Sequence, residues 1–127
     1  MKNLLFILLI APSIAMVTPD NLGSISKAVS NGDASALSTY FDDKVEVSIL
    51  DDENLLDKPE ARKALESFFA KHKPQSYNQV HDGTSKGAGS KYTIGNLKAN
   101  GKVYRVYVYM KVAGGNYTIQ EISISED

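Results

Sequence analysis

The sequence predicts an α+β fold in which a few helices pack on one face of an antiparallel sheet. Asn100-Gly101 separates two runs of alternating residues, 90–99 and 102–112, which is the strongest short-range signal for a β-hairpin. An apolar stripe of helical period follows Asp57. The predicted order is helix, helix, strand pair, helix and then three or four long strands. Segregation of helices from antiparallel strands indicates the α+β class.

The length and composition are those of one folded domain that follows an export signal. The chain has 127 residues, of which 43% are hydrophobic, enough for a single core. Lys2, the apolar run 4–10 and the small residues Ser13 and Ala15 form the pattern of a cleaved signal peptide. The run is shorter than the about 20 residues that span a membrane. We therefore predict a signal peptide over 1–15 and a single secreted or periplasmic domain over 16–127, without a membrane anchor.

Charge and cysteine content exclude several classes of function. The chain carries 14 basic and 15 acidic residues, and removal of the signal peptide removes only Lys2, which leaves a net charge of about −2. Such a domain has no electrostatic reason to bind nucleic acid or an anionic membrane. The absence of cysteine excludes disulfides, thiolate nucleophiles and lipid attachment through a cysteine. We expect no cofactor, and a domain stabilised by its core alone.

Two helices are predicted at the start of the domain. Residues 18–20, Thr-Pro-Asp, form a helix start, and Asn31-Gly32 suits a left-handed helix end. Asp33 is predicted to cap a second, shorter helix. The apolar positions at helical spacing are Leu22, Ile25 and Val29 in the first helix and Leu37, Tyr40 and Phe41 in the second.

A strand pair and the longest helix follow. Residues 45–49 alternate apolar and polar side chains, as in a strand with one face on the core, and a turn over 51–54 leads to a short return strand at Leu55-Leu56. Asp57 and Glu60 form a start that resembles a capping box. The stripe of the helix consists of Ala61, Ala64, Leu65, Phe68, Phe69 and His72, with Pro74 beyond its end.

The last third of the chain is predicted to be mostly strand. Residues 77–81 have a weak strand pattern, and 82–89 are expected to form a loop. Gly114-Gly115 makes a second tight turn into residues 116–125. Pairing outward from that turn would place Glu121 in the core, so we predict a one-residue bulge at Gln120-Glu121, which returns Ile122 and Ile124 to the core face.

The Asn100-Gly101 turn also determines which side chains share a face of the hairpin. Pairing outward places four pairs on the core face: Leu97 with Tyr104, Gly95 with Val106, Thr93 with Val108, and Lys91 with Met110. The opposite face, here called the outer sheet face, carries Tyr92, Ile94, Asn96, Arg105, Tyr107, Tyr109 and Lys111.

Several local patterns are shared with a known superfamily. They are Gly32-Asp33 followed by Leu37 and Tyr40-Phe41, Asp43 before the strand at Val45 and Val47, the helix over 57–72, and the closing run 117–124. In these features the sequence resembles the nuclear-transport-factor-two-like (ketosteroid-isomerase-like, cystatin-like) superfamily, and more narrowly an uncharacterised family of small exported bacterial proteins within it. The resemblance implies a cone-shaped curved sheet wrapped around the long helix. It does not decide function, because members include isomerases, dehydratases, hydrolases and binding domains.

Candidate catalytic and metal-binding groups are poorly placed. An isomerase-like site needs a carboxylate that faces the cone, with an acid or tyrosine beside it. The acids occupy helix ends and turns, and the core-facing positions of the hairpin carry none. Residues 51–53 lack calcium-loop spacing, His81 has no neighbouring ligand for zinc, and no Gly-x-Ser-x-Gly motif occurs. We predict no catalytic residue and no metal site, and favour a protein that is not an enzyme.

Two sets of residues remain as candidate binding sites. A pocket for a small apolar ligand is one hypothesis, although its residues equally suit a core: Tyr40, Phe69, His72, Tyr104 and Tyr117. The outer sheet face is the other, because it is rich in residue types enriched at interfaces, although tyrosine also favours strands in its own right. The resemblance implies a homodimer through this face. We predict a binding or protein-interaction domain; the alternative is an isomerase-like or hydrolase-like enzyme, or a small-ligand carrier, that uses the cone.

Overall fold

The computed structural model describes residues 21–84 and 89–127. The predicted signal peptide and the predicted helix start at 18–20 lie outside these residues. The elements are α1 (Leu22–Asn31), α2 (Ala34–Ser38), β1 (Phe41–Ile49), β2 (Asp52–Asp57), α3 (Lys58–Lys71), β3 (Pro74–Thr84), β4 (Ser90–Ala99), β5 (Lys102–Ala113) and β6 (Asn116–Glu126). The strands form one sheet in the order β2-β1-β6-β5-β4-β3. The predicted α+β class with a curved sheet is confirmed.

The β4–β5 hairpin has the predicted register. Asn100 and Gly101 both take positive φ, 53° and 72°, as the tight turn requires. Leu97 pairs with Tyr104 and Thr93 with Val108, and every member of the core-facing set except the half-buried Lys91 is buried. The Asn100 side-chain amide donates a hydrogen bond to the Lys71 carbonyl at 2.8 Å. The turn is therefore attached to the end of α3, a contact that the sequence pattern did not indicate.

The predicted bulge is present in β6. Tyr109 pairs with Glu121 and Met110 pairs with Ile119, so Gln120 is the extra residue. The bulge lets Ile119, Ile122 and Ile124 all point into the core. A regular strand would have buried the Glu121 carboxylate instead.

The predicted helix caps are also present. Gly32 ends α1 in the left-handed conformation, with φ of 61°. The Asp33 side chain accepts a hydrogen bond from the Ala36 amide at 3.0 Å, and Asp57 accepts one from the Glu60 amide at 2.9 Å. The buried side chains of α3 are Ala61, Leu65, Phe68 and Phe69, as the stripe predicted.

Three element boundaries differ from the prediction. Tyr40 and Phe41 are not on α2, because that helix ends at Ser38 and Phe41 begins β1. The β1–β2 turn lies at Leu50-Asp51 rather than over 51–54. β3 continues through residues 82–84, which pair with β4 where a loop was predicted. In each case pairing with a neighbouring strand extends a segment whose own pattern is weak.

The first and the last strand of the sheet meet in a parallel pair. β1 runs parallel to β6, with Val47 beside Ile122 and Glu46 beside Glu121. The sequence suggested antiparallel strands only. This pairing places β1 and β2 next to the long hairpins, so their water-facing side chains extend the outer sheet face.

Candidate functional site

The space between α3 and the central strands of the sheet is filled by side chains. The Phe68 ring lies 5.6 Å from the Phe69 ring and 5.5 Å from the Tyr104 ring, measured between centroids. The fully buried polar side chains among the described residues carry hydroxyl groups, Thr93 and Tyr104. No described carboxylate is therefore buried in the interior, where an isomerase-like base would be needed.

The five pocket candidates do not meet in one place. His72 and Tyr104 lie near the end of α3, and Phe69 packs in the core. Tyr40 and Tyr117 lie at the far end of β5 and line a depression of about 360 Å³. There the Asn21 side chain donates to the Tyr117 carbonyl at 2.8 Å and accepts from the Tyr117 amide at 2.9 Å.

His72 has a structural explanation. Its Nδ1 atom lies 3.2 Å from the hydroxyl of Tyr104, a residue that is only 1% exposed. A buried hydroxyl needs a hydrogen-bond partner, and His72 supplies it. The ring also stacks on Phe68, with centroids 4.6 Å apart. A cleft of about 320 Å³ opens beside it, with Ala64, Ser67 and Lys71 among its lining residues.

The outer sheet face carries a row of aromatic rings across three strands. Tyr107 on β5 stacks with Tyr92 on β4, with centroids 6.0 Å apart. Tyr92 continues to His81 on β3, whose Nε2 atom lies 3.1 Å from the tyrosine hydroxyl. The Tyr92 ring lies against Gly83, where a Cβ atom would come within 2.6 Å of it. Sequence reasoning missed His81 because residues 82–84 were expected to be loop, which hid its alignment with Ile94.

Carboxylates border this aromatic row. Glu121 pairs with Tyr109 on one side and with Glu46 on the other, and Glu53 lies on the neighbouring strand β2. Partial burial and then the negative charges of Glu46 and Glu53 raise the pKa of Glu121. The pKa of Glu121 is therefore higher in the folded than in the unfolded protein. At a pH below the ordinary pKa range of glutamate this carboxyl contributes to the stability of the fold, and the contribution is lost as the pH rises through the folded pKa.

The charge of Glu121 also affects a tyrosine of the outer sheet face. Partial burial raises the pKa of Tyr107, with a further contribution from the charge of Glu121. Beside the carboxylates a groove of about 500 Å³ contains Lys44, Lys111 and Asp42 among its lining residues. Gln120 donates a hydrogen bond to the Asp42 carboxylate at 2.8 Å, and this bond lowers the pKa of Asp42. The outer sheet face thus combines aromatic surface with charges of both signs.

The described part of the chain contains neither a cluster of metal ligands nor a membrane-spanning helix. In residues 21–84 and 89–127, no three His, Cys, Asp or Glu side chains are grouped so that they could hold a metal ion. None of the described helices has the length and apolar character needed to cross a bilayer.

Comparison with known proteins identifies both a family and a fold. Residues 22–125 match the family described as domain of unknown function (DUF4783). A DUF4783 protein from Bacteroides uniformis is 27% identical, with a TM-score of 0.78 over 85% of this chain and 98% of that one. Its counterpart from Bacteroides ovatus is 29% identical, with a TM-score of 0.75 over 81% and 92%.

More distant structures share the fold alone. An NTF-2-like protein of unknown function from Silicibacter pomeroyi is 12% identical, with a TM-score of 0.60 over 83% of this chain and 88% of that one. No curated protein matches the chain. The predicted resemblance to an uncharacterised family with this fold is confirmed.

Proposed function

The chain belongs to the DUF4783 family, whose function is unknown, and from this premise we propose that it is a non-enzymatic binding domain that forms a homodimer through its outer sheet face. The fold alone supports no particular activity, because folds of this kind carry many unrelated functions. The proposal therefore depends on the surface of this chain. We further propose that the domain is exported, because residues 1–15 have the pattern of a signal peptide. The intact mass of the exported protein tests this, and we expect it to correspond to a chain that begins near Met16.

The observation that carries the proposal is the aromatic row on the face of the sheet opposite the described helices. A water-facing side of an antiparallel sheet is normally polar, whereas this one presents Tyr92, Tyr107, Tyr109 and Ile94, all half-buried. Tyrosine is among the residues most enriched at binding hot spots. Isolated surface tyrosines need no partner, but a connected row of rings is typical of a protein interface.

The size of the face also suits a partner. Six strands spaced about 4.8 Å apart, with a length of about 25 Å, present roughly 700 Å². A standard stable interface buries about 800 Å² per partner. The outer sheet face and its rim are therefore large enough for one specific protein contact.

Features of the interior support a non-enzymatic role. Large side chains occupy the cone, and the candidate pocket residues His72 and Tyr104 satisfy each other by hydrogen bonding. Catalysis in the cone would need a reactive group that faces an open space. His72 lines a cleft of about 320 Å³ together with Asp52, but its Nδ1 atom is occupied by the Tyr104 hydroxyl, which supports a structural role for this ring.

Sedimentation equilibrium of the purified protein tests the dimer. We expect the wild type to sediment as a dimer, and Tyr107→Asp or Tyr109→Asp to weaken association by about 30-fold or more, as expected for a hot spot of about 2 kcal/mol. Each change places a negative charge on an apolar contact beside Glu121.

Val112→Asp is the matched control for this experiment. Val112 lies on the same strand two residues beyond the core-facing Met110, so its side chain points away from the outer sheet face, and it is 40% exposed. We expect this variant to remain dimeric. A monomeric wild type, or a Tyr107→Asp protein as dimeric as the control, would contradict the proposal.

A further inference from the structure

We infer that Arg105 of one protomer pairs with the carboxylates of Glu46 and Glu121 of the second copy, so that charge sets the orientation of the homodimer. This inference rests on the proposed function, because it needs a dimer that forms through the outer sheet face. It goes further by naming the contact that selects one arrangement of the two sheets.

None of the carboxylates of Glu46, Glu53 and Glu121 forms an ion pair with a described residue of its own chain, although Lys44 and Lys111 line the same groove as Glu46 and Glu121. Among the described residues, the ion pairs join other side chains, and no lysine or arginine lies within 4.0 Å of Glu46, Glu53 or Glu121. Glu46 and Glu53 act on Glu121 only as like charges. A like-charge group on a sheet is unfavourable unless an opposite charge arrives from outside.

Arg105 is a cation on the same face. It is exposed, and its cross-strand neighbours are Asn96 on β4 and Ser125 on β6, neither of which is charged. In the described part of the chain it forms no ion pair. One monomer therefore presents both halves of a salt bridge, placed too far apart to join within the chain.

The strand register places the two halves on opposite sides of Tyr107. Arg105 precedes Tyr107 by two residues, whereas Glu121 pairs with Tyr109, two residues beyond it. Along β5 these two levels are about 14 Å apart, since a strand rises about 3.4 Å per residue. The Tyr107–Ser123 pair lies midway between the levels.

A twofold axis between the two levels would bring Arg105 of each copy opposite the carboxylates of the other copy. In a twofold-symmetric homodimer every contact occurs twice. If a residue of the first copy contacts a given residue of the second copy, the same two residues also meet with the copies exchanged. A twofold axis that lies in the interface near Tyr107 and Ser123 exchanges the two levels. Arg105 of each copy then lies over Glu121 and Glu46 of the other, and the pairing occurs twice.

The same charges disfavour other arrangements. If the sheets met with the carboxylates of both copies together, six negative charges would be confined to one part of the interface. Juxtaposed like charges suppress wrong pairings, and opposite charges across an interface fix its register. The tyrosines supply contact area, while Arg105 and the carboxylates select the orientation.

Charge reversal tests the pairing, measured by sedimentation equilibrium. Arg105→Glu and Glu121→Arg are each expected to weaken self-association at least tenfold, because each places like charges opposite one another twice. An equimolar mixture of the two variants should form a heterodimer of near wild-type affinity, since both contacts are then restored with reversed polarity at one of them. Formation of that heterodimer also shows that both variants are folded.

Lys27→Glu is the control, because it makes the same change of charge on the exposed surface of α1. We expect it to leave association unchanged. If the wild type is a dimer that Tyr107→Asp dissociates, but Arg105→Glu has no effect or the mixture does not form heterodimers, this inference is wrong and the proposed function stands. If the wild type is a monomer, the proposed function itself is wrong.

Discussion

Phe68→Ala is expected to lower the free energy of unfolding by about 3–5 kcal/mol, the range for removal of a buried phenylalanine ring. Phe68 is 4% exposed, and its ring contacts the rings of Phe69, His72 and Tyr104. The change therefore leaves a cavity and also removes the ring on which His72 stacks. Since domains of this size are stable by about 5–15 kcal/mol, a large share of the stability depends on this one side chain.

Urea unfolding followed by circular dichroism measures the effect. Ser67→Ala is the matched control, because Ser67 precedes Phe68 on the same helix and is exposed, and we expect it to change stability by less than about 0.5 kcal/mol. Phe68→Leu should fall between the two, since it keeps part of the volume. A loss below about 1 kcal/mol for Phe68→Ala would show that this ring is not central to the core.

Gly95→Ala is expected to destabilise the protein by about 3 kcal/mol, in the upper part of the range for an overpacked site. The Tyr77 ring lies directly against the Gly95 backbone, and an added Cβ would overlap the ring and its hydroxyl. The ring cannot easily move away, because it is packed against the hydrophobic core. Gly95 is a strand residue without positive φ, so alanine itself would cause no backbone strain.

A double-mutant cycle separates the steric explanation from a backbone one. In a Tyr77→Ala background the overlap disappears, and alanine at position 95 should be neutral or should stabilise by up to about 1 kcal/mol, as glycine replacements at unstrained positions do. An equal loss in both backgrounds would mean that the backbone, not Tyr77, requires glycine at this position. Unfolding midpoints of the four proteins in urea supply the cycle.

Most of the fold could be predicted because the decisive signals are local. The Asn100-Gly101 turn specifies which residues pair around it, and the bulge at Gln120 follows from the need to keep Glu121 out of the core. Asp33 and Asp57 act within one turn of the helices that they cap. The predictions that were wrong, at Phe41, Leu50 and residues 82–84, concern segments whose state depends on a neighbouring strand.

The candidate site, like the fold, could be predicted only where its neighbours are close together in the chain. Alternation along β4 and β5 was enough to assign Tyr92, Tyr107 and Tyr109 to one face. It did not place His81 beside Tyr92 or the carboxylates beside Tyr109, because those neighbours come from β3, β1 and β6. Nor did it separate Tyr40 and Tyr117 from His72 and Tyr104, since each of these side chains suits a core or a pocket equally well.

From the amino-acid order alone came the turns, the caps, the register of the long hairpin and the division of its side chains into two faces. All of these depend on interactions between residues close together in the chain or linked through one tight turn. Tertiary structure alone decided that β1 joins β6 in parallel, that Asn100 binds the end of α3, and that Glu46 meets Glu121. These contacts join distant segments, and they form only when burial of the shared core brings those segments together.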